Sequence, residues 1–323
     1  MKRNLKNILF TLLHLIGFVI LFFIIRNLDW DAFLRAFKTF PAWKYGVGLL
    51  ILLLVYLSKS YRWHILNRAF MIHTTWKDAF IFYLSAGFLS VITPGRLGEF
   101  AKIYFLRKKY DTDMASSTSS VILDRIWDVL VLSSIAGISL IVLLFSQMNL
   151  PAVVLIGLLF ILSLSVILFP GILFVPLLFF VKKRFSFHES LERIFLLWKQ
   201  NRFKNFFAAF TISLLAFLSL AFIPFLFSLG NGYPITYPAG IASISISNIL
   251  SFIPITIAGF GTRELVFTEV WARFGYPGEI ALSVSIAYFM VTYLGSLLIG
   301  GIVYATQLRK FYRIREIGRV RAP

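Results

Sequence analysis

Apolar runs long enough to cross a membrane recur along the whole chain, separated by short polar segments. They are rich in Leu, Ile and Phe and lack the strict alternation of an outer-membrane barrel strand. A continuous apolar run of about 18 residues is typical of a transmembrane helix. The pattern predicts an all-α polytopic membrane protein with about six full spans, at residues 7–26, 44–58, 114–146, 150–181, 205–229 and 279–306.

Two further apolar regions, 78–110 and 238–275, are interrupted by proline and glycine. In each region Ile-Thr is followed by glycine-rich backbone and then by an Arg and a Glu. Proline lacks an N–H group and glycine permits left-handed backbone, so both favour a break in the helix. The regions are predicted to be re-entrant hairpins, which gives eight transmembrane-like units in all. The residues predicted to form the breaks are Pro94, Gly95, Gly98, Gly259 and Gly261.

Composition supports membrane insertion and argues against nucleic-acid binding and cysteine chemistry. Hydrophobic residues make up 59% of the chain and charged residues 14%, whereas soluble domains carry about 25% charged residues. The net charge of +18 would suggest nucleic acid in a soluble protein, but no nucleic-acid-binding module is present. The basic residues lie between apolar runs, where they set topology and attract lipid headgroups. The absence of cysteine excludes disulfides, thiolate metal sites and Cys nucleophiles.

The basic residues also predict an orientation. With a cytoplasmic N-terminus and both hairpins entering and leaving on one side, the cytoplasmic segments hold 23 Lys and Arg and the external loops hold four. This asymmetry follows the positive-inside rule and predicts a multi-pass protein of the cell membrane with both termini in the cytoplasm. Segment 182–204 is predicted to be an amphipathic cytoplasmic connector at the membrane surface, with a solvated connector as the alternative.

The two hairpins enter from opposite sides in this topology, and each has one span before it and one after it. Units 44–146 and 205–306 are therefore nearly equal in length and opposite in orientation. This arrangement is typical of an inverted-topology repeat, in which paired broken helices meet near the midplane. The alternative is two kinked helices without a repeat. In either case residues 1–323 are predicted to form a single transmembrane domain.

Ionisable residues inside apolar spans are costly and usually serve function. Arginines, lysines and helix N-termini after the glycines could hold a phosphate, and the carboxylates could fix those cations or take up protons. The alternative is that buried ion pairs hold helices together, and Lys59, Arg62 and Lys102 could instead snorkel to the surface. The predicted substrate-binding residues are Arg96, Glu99, Asp124, Arg125, Asp128, Arg263, Glu264, Lys59, Arg62 and Lys102.

An enzyme is the alternative class of protein. Asp124 and Asp128 lie four residues apart on one helix face, and such a pair suits a divalent ion or acid–base chemistry. The four histidines are scattered and match no ligand spacing. Nucleotide-binding and G-x-S-x-G motifs are absent. We therefore expect no cofactor, no metal and no catalytic residue.

Four motifs in order along the chain resemble the flippase-like transmembrane domain of lysylphosphatidylglycerol synthases and their stand-alone relatives. They are Tyr61-Arg62-Trp63, Thr93-Pro94-Gly95-Arg96-Leu97-Gly98-Glu99, Asp124-Arg125 followed by Asp128, and Gly259-Phe260-Gly261-Thr262-Arg263-Glu264. The last departs from the commoner form of the family, which has Pro-Gly-Gly before Leu-Gly. In two-domain relatives, a soluble domain aminoacylates phosphatidylglycerol and the membrane domain moves the product. Since this chain ends at Pro323, synthase activity is not expected.

These patterns together predict a lipid flippase or transporter. The expected substrates are membrane lipids with an anionic headgroup: an anionic phospholipid, an aminoacyl-phospholipid or a polyprenyl-phosphate-linked lipid. Two alternatives stay open, an intramembrane enzyme acting on lipid-linked sugars and a non-catalytic membrane partner of a separate lipid-modifying synthase. Homo-oligomerisation is also left open, and nucleic acid is not an expected partner.

Overall fold

The computed structural model describes residues 40–145, 203–229, 236–252 and 261–320, with single positions at 26, 30, 31, 34, 38 and 194. Within these ranges the regular elements are all helical, as predicted. A 3-10 helix, Pro94–Phe100, follows α2, and a π-helical turn, Met290–Leu294, joins α8 to α9. The α-helices are α1 (Ala42–Ala69), α2 (Trp76–Val91), α3 (Ala101–Tyr110), α4 (Met114–Phe145), α5 (Phe203–Ser228), α6 (Tyr237–Phe252), α7 (Thr262–Arg273), α8 (Gly278–Phe289) and α9 (Gly295–Val320).

Three helical stretches in the described part of the chain are long and apolar enough to cross a membrane: Ala42–Ala69, Phe207–Ser228 and Gly278–Gln307. They coincide with three predicted spans, and α4 coincides with a fourth, 114–146. The first of them extends to Ala69, well beyond the predicted end at residue 58, and so contains Lys59 and Arg62. At about 1.5 Å per residue it exceeds the roughly 30 Å thickness of the hydrocarbon core.

Other sequence predictions fall wholly or largely outside the described residues. They are the spans 7–26 and 150–181 and the connector 182–204. The total of eight transmembrane-like units and the inverted repeat therefore stay predictions.

The first predicted break is an ordered turn built by its own side chains. Thr93 donates from Oγ1 to the carbonyl of Leu89 at 2.7 Å and accepts from the N–H of Gly98, also at 2.7 Å. Pro94 opens the 3-10 helix, where its missing N–H costs nothing, and Gly95 lies in the same helix. A Cβ at Gly98 would lie 2.1 Å from the carbonyl carbon of Leu89, so the turn fits only glycine at this position.

The second predicted break is described only at its C-terminal end. Gly261 has φ of 85°, a left-handed conformation that disfavours any side chain. Its N–H donates to Oε2 of Glu264 at 2.6 Å, which satisfies one of the free N–H groups at the start of α7. Gly259 and the rest of the predicted break, 253–260, lie outside the described residues.

The two halves of the chain pack closely through glycines. A Cβ at Gly300 of α9 would lie 2.5 Å from the carbonyl oxygen of Leu84 in α2, and one at Gly48 of α1 would lie 3.0 Å from Val291. Small residues at such contacts let helix backbones approach in a membrane. The helices that pack most closely across the two halves are α1 with α5, α2 with α9, and α4 with α6. These contacts bring the first hairpin and the π-helical turn to one region of the molecule.

Candidate functional site

A buried ion pair between α1 and α4 forms the centre of the candidate site. Arg62 donates from Nη2 to Oδ1 of Asp124 at 2.5 Å and from Nε to the same oxygen at 3.0 Å. Both side chains are 0% exposed. The Nη1 of Arg62 also lies 2.7 Å from Oδ1 of Asp128, one helical turn further along α4. One guanidinium therefore binds both carboxylates, which their spacing of four residues places on one face of α4.

Lys102 of α3 joins the first hairpin to this pair. Its Nζ lies 2.7 Å from Oδ2 of Asp124 and 3.1 Å from Oε2 of Glu99, one turn before it. The ammonium is also 4.1 Å from the ring centroid of Tyr83 and 5.2 Å from that of Trp63. Cation–π contacts of this kind strengthen where water is excluded. Lys102 and Arg62 are both fully buried, so neither snorkels to the surface.

Arg125 closes the network on the other side of the carboxylates. Its Nη2 lies 2.8 Å from Oδ2 of Asp128 and 3.1 Å from Oδ2 of Asp124, and its Nη1 lies 3.4 Å from Glu99. Nη2 also donates to the hydroxyl of Tyr83 at 2.8 Å. Lys59 lies 3.2 Å from Oδ1 of Asp128. The network thus contains four cations and three carboxylates, so it carries a surplus of one positive charge.

A cavity of about 130 Å³ adjoins this network. Three cationic residues line it, Lys59, Arg96 and Arg125, together with two carboxylates of the network, Glu99 and Asp128. Among the described residues that line the cavity, the cations therefore exceed the carboxylates by one. Polar residues from the second half of the chain also line the cavity: Asn248, Ser251, Tyr288, Thr292, Tyr293 and Ser296.

Arg96 approaches the cavity from the first break. Its φ of 58° is left-handed, which is uncommon for a residue other than glycine, and it lies in the same 3-10 helix as Glu99. Tyr293 of the π-helical turn lines the same cavity. The spacing of three residues in the sequence does not show this change of backbone conformation. Backbone outliers of this kind cluster at functional sites.

Arg263 and Glu264 form a separate pair at the second break. The guanidinium of Arg263 binds the carboxylate of Glu264 and donates to Ser285 at 3.1 Å. It also lies 4.7 Å from the ring centroid of Phe289 and 5.6 Å from that of Tyr293. Among the described residues the pair is not part of the cavity lining, and Tyr293, which does line the cavity, lies next to it. The structure therefore brings eight of the ten predicted site residues together and leaves this pair beside them.

Several polar residues of the site were not predicted from the sequence. Tyr83 donates to Asp124 at 3.2 Å, Ser213 of α5 accepts from Arg62, and Asn248 and Tyr288 line the cavity. These residues are uncharged and lie inside apolar helices, where a serine or tyrosine is common and carries little signal. The hydrophobic pattern also does not predict the π-helical turn that contains Tyr293. Only the folded arrangement shows that they surround one cavity.

The carboxylates of the network face cations and not one another. Asp124 is contacted by Arg62, Lys102 and Arg125, and Asp128 by Lys59, Arg62 and Arg125. Among the residues that the structure describes, no three His, Asp or Glu side chains are grouped to hold a metal ion. The arrangement is that of a buried ion network beside an anion-sized polar cavity.

Helices of membrane-spanning length, a buried charge network and an internal polar cavity define a polytopic helical membrane protein. The family model described as the lysylphosphatidylglycerol synthase TM region matches residues 9–300. The chain belongs to this family, as the four motifs predict, and this membership supports a role connected with membrane lipids. A search of curated proteins finds no match.

Proposed function

We propose that this protein moves an anionic lipid between the leaflets of the cell membrane. The observation that carries the proposal is the cationic cavity, which lies among membrane helices and is lined by Lys59, Arg96 and Arg125. A lipid phosphate cannot cross about 30 Å of hydrocarbon without a large desolvation cost. A polar cavity within the bilayer offsets that cost, while the acyl chains stay in the surrounding lipid.

Charge balance supports an anionic headgroup. The described residues that line the cavity include three cations and two carboxylates, so one phosphodiester brings this lining closer to neutral. Guanidinium groups match the geometry of phosphate oxygens, and Arg96 and Arg125 both reach the cavity. The carboxylates hold the basic side chains in place when no ligand is bound. Glu99 contacts Arg125 at 3.4 Å, the longest ion pair of the network, so an entering anion competes most readily for this contact.

The alternatives predicted from the sequence receive less support. An intramembrane enzyme with paired acidic groups needs a carboxylate that is available for chemistry, yet Asp124 and Asp128 each contact three cations. A membrane partner of a separate synthase, a homo-oligomer and the cytoplasmic position of both termini stay predictions. The orientation is supported by the split of basic residues, 23 against four.

A vesicle assay tests the proposal directly. The full chain is reconstituted into phosphatidylcholine vesicles with a trace of fluorescent phosphatidylglycerol, and dithionite quenching measures how fast the inner-leaflet probe becomes accessible. We expect faster exchange than in protein-free vesicles and a loss of about tenfold or more in Arg96→Gln, because one charge-assisted hydrogen bond contributes about 1.5–3 kcal/mol. Arg68→Gln is the matched control, since Arg68 is exposed at the end of α1.

The two variants also separate a site effect from a general charge effect. An equal loss in Arg96→Gln and Arg68→Gln would assign the effect to surface charge. Exchange in wild-type vesicles no faster than in protein-free vesicles, for phosphatidylglycerol and for a polyprenyl phosphate alike, would contradict the proposed function.

A further inference from the structure

Lys44 is a buried charge that belongs neither to the ion network nor to the described lining of the cavity. It lies near the start of α1 and is 4% exposed. Its Nζ donates to the carbonyl of Phe227 at 3.3 Å and to that of Leu229, at and just past the C-terminal end of α5. The ammonium also lies 5.6 Å from the ring centroid of Phe40. Lys44 therefore binds the last carbonyls of a neighbouring helix, where a cation is favourable.

The two helices that Lys44 joins also line the cavity. Helix α1 contributes Leu52, eight residues beyond Lys44, and α5 contributes Leu220, seven residues before Phe227. At 1.5 Å per residue, the Lys44 contact lies about 10–12 Å beyond these lining residues. It is on the side away from Arg62 and the ion network.

Aromatic side chains close the same end of the helix pair. Phe40 and Tyr45 pack edge to face against Phe227, with ring centroids 5.1 and 4.9 Å apart. Phe40 is buried and Phe227 is completely buried. Together with the Lys44 contact, this packing closes the interface between α1 and α5 beyond the cavity.

A proline lies in α5 between the cavity and the Lys44 contact. Pro224 is inside the helix, four residues after Leu220 and three before Phe227. Because proline has no N–H group, the carbonyl of Leu220 loses its helical hydrogen bond, and helices bend at such positions. The end of α5 after Pro224 can therefore move while the part that lines the cavity keeps its place.

The Lys44 contact is also easier to break than the ion network at the other end of α1. Arg62 binds two carboxylates there, whereas the partners of Lys44 among the described residues are neutral carbonyls. A lysine near a helix end can extend its ammonium to the membrane surface when it leaves such partners. Motion between α1 and α5 is therefore favoured at the Lys44 end.

We propose that the end of α5 after Pro224 is a gate to the cavity, with Pro224 as its hinge and Lys44 as its latch. The gate is closed in this structure. It opens when Lys44 releases the two carbonyls and residues 225–228 move away from α1. The inference rests on the proposed function only for the headgroup that passes the gate. It assigns roles to two residues outside the charge network.

Cysteine accessibility tests the gate without requiring transport, because the natural chain has no cysteine. Leu52→Cys in the full chain places a thiol on the part of the cavity wall that α1 contributes. Right-side-out and inside-out membrane vesicles are treated with a membrane-impermeant anionic thiosulfonate, whose charge suits the cationic cavity. Asp31→Cys marks the membrane face on the Lys44 side and controls for access of the reagent, since Asp31 is exposed and precedes α1.

Lys44→Met keeps much of the side-chain length and removes the latch. We expect it to speed the labelling of Leu52→Cys from the face marked by Asp31→Cys about tenfold, because a hydrogen bond from a charged group holds the closed state. Lys44→Arg should stay close to the wild-type rate. In the Lys44→Met background, Pro224→Ala should reverse most of the gain, because it restores the helical hydrogen bond at the hinge.

The opposite signs of the two variants separate a gate from general loosening of the helices. A wild-type labelling rate in Lys44→Met would overturn the inference, and so would further acceleration by Pro224→Ala. Pro224→Ala alone should label more slowly than wild type, and this comparison serves as the test if Lys44→Met does not fold. An unchanged rate there would also overturn the gate.

The gate and the proposed function can fail separately. Labelling that follows Lys44 and Pro224 as expected, combined with no lipid exchange in vesicles, would support the gate and contradict transport. Lipid exchange combined with labelling that is independent of Lys44 would support transport and contradict the gate.

Discussion

Arg62 and Asp124 join α1 to α4 through an ion pair with two hydrogen bonds, and both side chains are fully buried. Charges so placed are stable only while each keeps its partner. The pair therefore links the stability of the fold to the geometry of the site, because the same carboxylate also binds Lys102 and Arg125. A substitution at the centre of the network should therefore shift the side chains that line the cavity.

Removing one partner of this pair should destabilise the protein strongly. For Asp124→Asn and Arg62→Met we expect a loss of about 3–5 kcal/mol each, because a buried charge is left without compensation. Thermal unfolding of the purified protein in detergent, followed by tryptophan fluorescence, measures the change. Glu279→Gln is the control, since this carboxylate is exposed at the start of α8.

The double variant Arg62→Met/Asp124→Leu makes the test sharper. Replacing a buried ion pair by apolar groups of similar volume is often neutral, so we expect part of the lost stability to return. If the two losses simply added, the ion pair would not be the source of the single-variant effects.

Gly98→Ala should destabilise the turn at the first break, whereas Gly46→Ala in α1 should not lower stability. A Cβ at Gly98 would lie 2.2 Å from the carbonyl oxygen of Leu89 and 2.4 Å from the nitrogen of Ser90, and this backbone cannot move aside as a flexible side chain could. We expect a loss of more than about 3 kcal/mol, the upper range for overpacking. Gly46→Ala in α1 meets nothing within 4 Å and should raise stability by up to about 1 kcal/mol. Monodispersity on size exclusion and the unfolding temperature report both effects.

The predicted orientation can be tested with single cysteines because the natural chain has none. Lys77→Cys lies on the predicted cytoplasmic side and Asp31→Cys on the outer side, and both native side chains are exposed. In intact cells a membrane-impermeant maleimide should label Asp31→Cys alone, and permeabilised cells should show labelling of both. Labelling of Lys77→Cys in intact cells would reverse the orientation.

The charged part of the site could be predicted from the sequence, and the uncharged part could not. Arg62, Asp124 and Lys102 stand out because ionisable groups are rare in apolar helices, and a buried charge needs a partner of opposite charge. Thr292 and Tyr293 give no such signal, since serine, threonine and tyrosine occur throughout membrane helices. Their positions depend on a π-helical turn, which depends on packing against α1 and is not encoded by any hydrophobic period.

The two breaks also could be predicted only in part from the sequence. Pro94 and Gly98 predict that the helix stops, because their effects on the backbone are local. The left-handed backbone at Arg96 and its position in one cavity with Tyr293, some 200 residues away by the printed numbering, do not follow from the local sequence. A local pattern therefore locates the break but not the direction of the arginine that follows it.

Tyr293 should contribute to transport through both its hydroxyl and its ring. Tyr293 lines the cavity together with Arg96, and its ring lies 5.6 Å from the guanidinium of Arg263, so one side chain lies near both breaks. Tyr293→Phe should slow lipid exchange about fivefold by removing one hydrogen-bonding group from the cavity wall, and it should keep the unfolding temperature close to wild type. Tyr293→Leu should also lower the unfolding temperature, because the buried cation–π contact is lost. The vesicle assay and thermal unfolding separate the two effects, with the partly exposed Tyr276→Phe as the control for removal of a tyrosine hydroxyl away from the cavity. Normal exchange in Tyr293→Phe would show that transport does not use this hydroxyl.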